Sequence, residues 1–190
     1  HSLESLGVPH VSSAPHFSAL QGSRELLREH MLSAGVSLPR AIVLPVYQKD
    51  FDGPKEKYAL KKAMEIHAKF GAPWLVKSYP VDGIPSGVAL RASHFAKTFM
   101  ELAAAIADGV EHKKSVLVEE FIPGRAITLH SVPDFRGQEL YVFPLGRAAG
   151  VFSASEKEKL YALTKDLHRS TGAGHYLKSD FLLSPRQKVY

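Results

Sequence analysis

The stretch GAPWLVKSYPVDGIPSGV, Gly71 to Val88, followed by VLVEEFIPGR, Val116 to Arg125, constrains this chain more than anything else in it. Each segment begins as a short apolar strand and ends in chemistry. The first places Lys77 after Trp74, Leu75 and Val76, on the same strand face as Leu75, and runs into a loop holding Gly83, Ser86 and Gly87. A lysine so placed wants an anion. The glycines let backbone approach phosphate oxygens closely, and Ser86 adds a donor. The second strand closes on Glu119 and Glu120, with Phe121 and Ile122 behind them. Backbone groups and one carboxylate there suit an adenine edge, and the apolar pair suits its face. Together the two segments form a way to hold a nucleoside triphosphate. Taken singly, each also reads as an ordinary hairpin turn or an acidic strand end.

Around these segments the sequence predicts alternating helices and strands. Ser23 caps a helix over Arg24 to Ala34, stopped by Gly35, and Ala41 to Val46 is a short buried strand. Lys55 to Phe70 reads as a helix with Leu60, Ala63, Met64 and His67 along its packed face. Trp74 to Ser78 and Gly87 to Arg91 are strands. Ser93 caps a helix with a stripe of Phe95, Phe99, Leu102 and Ile106. Ser115 to Glu120 is a strand. Ala126 to Val132 and Glu139 to Phe143 flank a turn at Pro133, Asp134 and Gly137. Ser155 and Glu158 form a capping box for a helix burying Leu160, Leu163 and Leu167. Tyr176 to Leu183 is a strand, after which Lys188 to Tyr190 begins another with no length to pair. That ending, and an N-terminal LESLGVPHVSS without a partner sheet, suggest a chain cut from something larger. Gln48 to Pro54 reads as a mobile connection.

Composition narrows the function classes. The chain has 190 residues, 45% of them apolar, enough for one domain or two small lobes. It has no cysteine, which removes disulfides, thiolate metal sites and a cysteine nucleophile. No apolar run reaches membrane-spanning length and no signal pattern opens the chain, so a cytoplasmic protein without membrane contact is expected. The net charge of +5 is spread over mixed-sign helix faces, which favours a nucleotide over nucleic acid as the polyanionic partner. The histidines lack metal spacing, His175 reads as a turn residue, and Ser153 and Ser155 read as helix-start residues rather than nucleophiles.

Asp180 lies two residues after Lys178 in YLKSDFLL and therefore on the same strand face. The pair is either a same-face ion pair or a place for Mg2+ and a phosphate. With LGVPHVSS, the capped helix at Ser23, SAGVSLPR, APWLVK, DGIPSGV, VLVEEFIPGRAITL and GAGHYLKSDFLL in this order and spacing, the chain resembles the ATP-grasp family, most of all its D-alanine–D-alanine ligase branch.

The resemblance implies an α+β fold in which two subdomains of mostly antiparallel sheet sandwich ATP. Residues 1–40 would be the end of a preceding domain and its leading helix, 41–122 the small subdomain, and 123–190 an incomplete large subdomain. It implies an acyl phosphate formed on a carboxylate and displaced by an amine, with ATP and Mg2+ as cofactors and D-alanine among the substrates; a homodimer is compatible with it. By resemblance, Lys77 and Arg24 contact phosphates, and Gly83, Ser86 and Gly87 belong to the loop over them. Glu119, Glu120, Phe121 and Ile122 surround adenine, Asp180 is a magnesium ligand, and Lys178 stands where the family has an arginine at the reacting phosphate. Ile84 and Pro85 replace loop hydroxyls, Ala126 replaces a ribose-binding carboxylate, and the stretch between Phe143 and Ser155 is short for a substrate-covering loop. These departures leave three readings beside the ligase: a divergent ATP-grasp enzyme, a non-catalytic nucleotide-binding or interaction module, and a basic nucleic-acid binder. As an enzyme, this stretch by itself is expected to be weak or inactive.

Overall fold

The computed structural model describes residues 15–79, 94–146 and 152–190. Helices and antiparallel sheets make an α+β protein with two compact units. Pro39–Ile122 is one; the described residues up to Leu38, together with Pro123–Tyr190, form the other.

The continuous unit contains β1 (Ala41–Leu44), a short α3 (Lys49–Asp52), α4 (Lys55–Lys69), β2 (Trp74–Tyr79), β3 (His94–Ala96), α5 (Phe99–Glu111) and β4 (Ser115–Glu120). Its sheet runs β1-β4-β2-β3, every pairing antiparallel. Strand alternation sends Trp74, Val76, Val116 and Val118 into one core with Ile66 of α4 and Leu102 and Ile106 of α5. Trp74 is fully buried, and its indole donates to the Phe70 carbonyl at 3.0 Å. Leu75, Lys77 and Glu119 therefore lie on the other face.

Three expectations change here. The Gln48 to Pro54 connection contains α3, whose Asp52 carboxylate accepts from the Gln48 amide at 2.7 Å. In α4 the buried residues are Tyr58, Ala59, Ala63 and Ile66, while Leu60, Met64 and His67 are exposed. Two apolar stripes compete on this helix, and the one containing the larger Tyr58 and Ile66 docks on the sheet. His67 lies at the rim, its ring 5.8 Å from Trp74 and 6.4 Å from Phe99. Finally, α5 starts at Phe99 under a Thr98–Glu101 capping box, because Phe95 belongs to β3, opposite Leu75. The expected cap Ser93 and the expected strand from Gly87 to Arg91 lie outside the described residues.

The discontinuous unit begins with α1 (Pro15–Gly22) and α2 (Arg24–Ser33), the latter capped by Ser23, whose hydroxyl accepts from the Leu26 amide. It continues with β5 (Arg125–Phe135), β6 (Gln138–Val142), α6 (Ala154–Thr171) and β7 (Leu177–Leu183), in a sheet ordered β6-β5-β7. Ile127, Leu129, Phe181 and Leu183 face Leu160 and Leu167 of α6. Val36 joins the same core, so the segment after α2 packs with this unit.

The hairpin turn falls at Arg136 and Gly137, with φ of 52° and 71°, and Pro133 stays in the strand opposite Leu140. Two positive φ values suit the right-handed twist of the flanking strands. Ser153 rather than Ser155 caps α6, in a box with Glu156. The last residues do pair: Leu182 and Tyr190 exchange both backbone hydrogen bonds at 2.9 Å, and Val189 is buried. Beneath the sheet, Ser131 and the His168 Nδ1 are 2.8 Å apart, and burial pushes the His168 imidazole below its ordinary value.

Candidate functional site

On the open face of the continuous unit, β2 and β4 pair so that Leu75 is opposite Glu119 and Lys77 opposite Leu117. Lys77 and Glu119 are thus diagonal neighbours on one face, within reach of long side chains. The Lys77 Nζ lies 2.7 Å from Glu119 Oε2, with the side chains 29% and 22% exposed. Phe121 continues this arrangement with its ring edge-to-face on Phe95, centroids 4.6 Å apart. Lys77 and Glu119 therefore meet directly, and Phe121 lies on the same face two residues beyond Glu119.

Glu120 and Ile122 have different surroundings. Arg40 grips Glu120 with a two-pronged fork, Nε to Oε2 at 2.8 Å and Nη2 to Oε1 at 2.9 Å. Its guanidinium also reaches the Lys69 carbonyl at 3.3 Å and lies 5.5 Å from the centre of the Phe70 ring. Glu120 thereby ties the end of β4 to the end of α4. Ile122 is buried. Arg40 had no motif to announce it: the pairing spans 80 residues and depends on the register of β1 against β4.

The discontinuous unit carries the other candidates. Arg24 is exposed at the first residue of α2. On the open face of β5 and β7, Thr128 is opposite Asp180 and His130 opposite Lys178. The Thr128 hydroxyl donates to Asp180 Oδ1 at 2.6 Å, and Lys178 Nζ lies 3.1 Å from Oδ2. The Thr128 bond first, then Lys178, holds the Asp180 carboxyl below its usual range. Beside this pair, the His130 and Tyr176 rings stack at 5.6 Å with 23° between their planes, and Tyr176 Oη hydrogen-bonds to His130 Nδ1. Sequence reading missed Thr128, His130 and Tyr176, whose partners come from the other strand. Ala126 is exposed at the start of the same strand. Gly83, Ser86 and Gly87 lie outside the described residues.

A magnesium ion requires near-octahedral oxygen ligation. Asp180 offers one carboxylate, both of whose oxygens are engaged, and among the described residues no group of three His, Asp or Glu side chains could hold a metal ion. The described residues do not by themselves fit Mg2+. No helix among them is long and apolar enough to cross a membrane.

No family model matches the chain. It is 26% identical to a D-alanine–D-alanine ligase of Pelobacter propionicus, over an alignment covering 99% of this chain and 60% of that protein. It is 27% identical to the corresponding ligase of Herminiimonas arsenicoxydans, over 67% of this chain and 34% of the other. The chain thus spans 60% or less of the length of these curated relatives. Among solved structures, it superimposes on D-alanyl-alanine synthetase A of Vibrio cholerae with a TM-score of 0.67 at 17% identity, covering 99% of this chain and 59% of that one. A RimK-domain ATP-grasp protein of Sphaerobacter thermophilus gives 0.60 at 20% identity, over 97% of this chain and 61% of its own. The fold is shared with both, and the sequence similarity runs to the D-alanine–D-alanine ligases.

Proposed function

We propose that this chain, which has the ATP-grasp fold, is the nucleotide-binding core of an ATP-dependent carboxylate–amine ligase of the D-alanine–D-alanine type. One observation carries the reading: likeness to such ligases extends over 99% of the chain in sequence and in fold. In the reaction, a substrate carboxylate oxygen attacks the terminal phosphorus of ATP, ADP leaves, and an acyl phosphate forms. An amine then displaces phosphate to give the amide.

Lys77 contacts the phosphates in this reading. To do so it exchanges the Glu119 carboxylate for a phosphate oxygen, one anionic partner for another. Glu119 and Phe121 serve adenine, whereas Glu120, already gripped by Arg40, and the buried Ile122 contribute backbone groups and shape. Arg24 is a second phosphate contact. Lys178 is the cation at the transferring phosphoryl group; it supplies point charge rather than an arginine fork. Gly83, Ser86 and Gly87 retain their assignment to the phosphate loop.

The test is phosphate release from ATP by the intact gene product with and without D-alanine, alongside the melting temperature with and without ATP. D-alanine-dependent release is the expected result. A rise in melting temperature with no release would replace the ligase by a second reading, a non-catalytic nucleotide-binding module. The presence of Ala126 at the ribose position and the engaged oxygens of Asp180 favour that alternative. No response to ATP in either measurement would remove both.

A further inference from the structure

We infer that His130 is the general base that takes a proton from the attacking amine, and that Tyr176 is the residue that positions it; the inference rests on the ligase reading above. In solution near neutral pH an amino acid presents an ammonium group with no lone pair for attack. Charge neutralisation activates the carboxylate half of the reaction, but the amine half needs a proton acceptor. On the open face of β5 and β7, the cationic Lys178 cannot fill that role, and the Asp180 carboxylate, with the Thr128 hydroxyl donating to it, is a weaker proton acceptor at neutral pH than an imidazole. Among the described residues of this face, His130 is the imidazole, and it stands directly across from Lys178.

The surroundings of His130 suit the task. Its Nδ1 faces the Tyr176 hydroxyl, and the two rings are stacked. With Nδ1–H donating to Tyr176 Oη, the neutral ring keeps its lone pair on Nε2, the nitrogen left to meet a substrate. The same logic, in which the hydrogen bond at one ring nitrogen sets the role of the other, governs imidazole bases generally.

The proton balance closes without a co-reactant. Of the three N–H bonds of the ammonium, one survives in the amide. One proton passes to His130 Nε2, giving imidazolium, before the nitrogen lone pair attacks the acyl carbon. The other leaves the tetrahedral intermediate with the departing phosphate, which is released as hydrogen phosphate as the C–O bond breaks. The imidazolium returns its proton to solvent.

Hydroxylamine separates this role from all others, because it is uncharged at neutral pH and attacks an acyl phosphate without prior deprotonation. The intact gene product is supplied with ATP and D-alanine, and D-alanine hydroxamate (hydroxylamine added) and dipeptide (no hydroxylamine) are measured. For His130→Gln, dipeptide formation should fall about 100-fold or more, while hydroxamate formation changes less than about threefold. Tyr176→Phe, which keeps the stacked ring and removes the acceptor, should lower dipeptide formation by a smaller factor and likewise spare hydroxamate. Equal losses of both products in His130→Gln, or no loss of either, would overturn the assignment, and a loss of hydroxamate in Tyr176→Phe would reduce Tyr176 to a structural residue. If the unsubstituted protein forms neither product, the ligase reading itself fails. Formation of hydroxamate without dipeptide by the unsubstituted protein would retain acyl activation and refute a working base.

Discussion

The two open sheet faces carry the same charge chemistry in different surroundings. Lys77 and Glu119 on β2 and β4 are about three-quarters buried, with their neighbour Glu120 locked by Arg40. Lys178 and Asp180 on β7 are more than half exposed. A pair largely shielded from water depends on its partner, since losing one member leaves a poorly solvated charge. An exposed pair is screened and easily separated. The first face is thus organised before any ligand arrives, while the second leaves its groups free to exchange partners during a reaction.

The largest test of this contrast lies beneath the first face. Trp74→Ala should cost about 3–5 kcal/mol by urea denaturation, because β2 sends Trp74 inward with the same alternation that sends Lys77 outward. A loss below about 1 kcal/mol, a typical surface-scale effect, would mean that the Lys77 face is not anchored through this core. Next comes the direct comparison. Lys77→Met should destabilise by about 1–2 kcal/mol through the stranded Glu119 carboxylate, and Lys178→Met by less than about 0.5 kcal/mol. Equal losses would erase the distinction between the faces.

Acid provides a smaller test. Burial lowers the folded-state value of His168, so the unfolded chain binds the proton first as pH falls. Stability should therefore decline on acidification from the ordinary imidazole value, about 6.5, toward the depressed folded value. His168→Gln should flatten that slope in denaturation curves recorded at several pH values; an unchanged slope would place the titration elsewhere. The smallest effect belongs to Asp180. Its folded value is depressed, so its contribution is present above the unfolded carboxylate range and is lost as pH falls through the folded value. Asp180→Asn should remove that shallow acid dependence, and a steeper one in the variant would contradict it.

Much of the fold was legible because local signals were strong. Ser23 as a cap, β4 from Ser115 to Glu120, and the strand from Trp74 that carries Lys77 follow from alternation and capping chemistry. Misplaced boundaries had competing signals of equal local quality. Ser153 with Glu156 and Ser155 with Glu158 both satisfy a capping box, and the helix as docked uses the earlier pair. Thr98 and Glu101 have the spacing of a capping box, and the helix starts there because Phe95 is paired in β3 with Leu75. The site shows the same division. Lys77, Glu119, Lys178 and Asp180 stand out as charges in apolar strands, whereas Thr128, His130, Tyr176 and Arg40 are unremarkable until a second strand is laid beside them.

By itself, the sequence determined which strands end in charge, that helices alternate with short strands, and that the chain's motifs resemble those of ATP-grasp ligases in order and spacing. These properties reside in period, capping residues and local composition, which a chain displays before it folds. Tertiary structure decided which charges are partnered. It gave Glu119 to Lys77 and Glu120 to Arg40, turned Tyr58 and Ile66 rather than Leu60 and Met64 inward, and set Tyr176 against His130. Each of these outcomes depends on the register between segments distant in the chain or on the face by which a helix docks, and side-chain contacts of that range have no local signature.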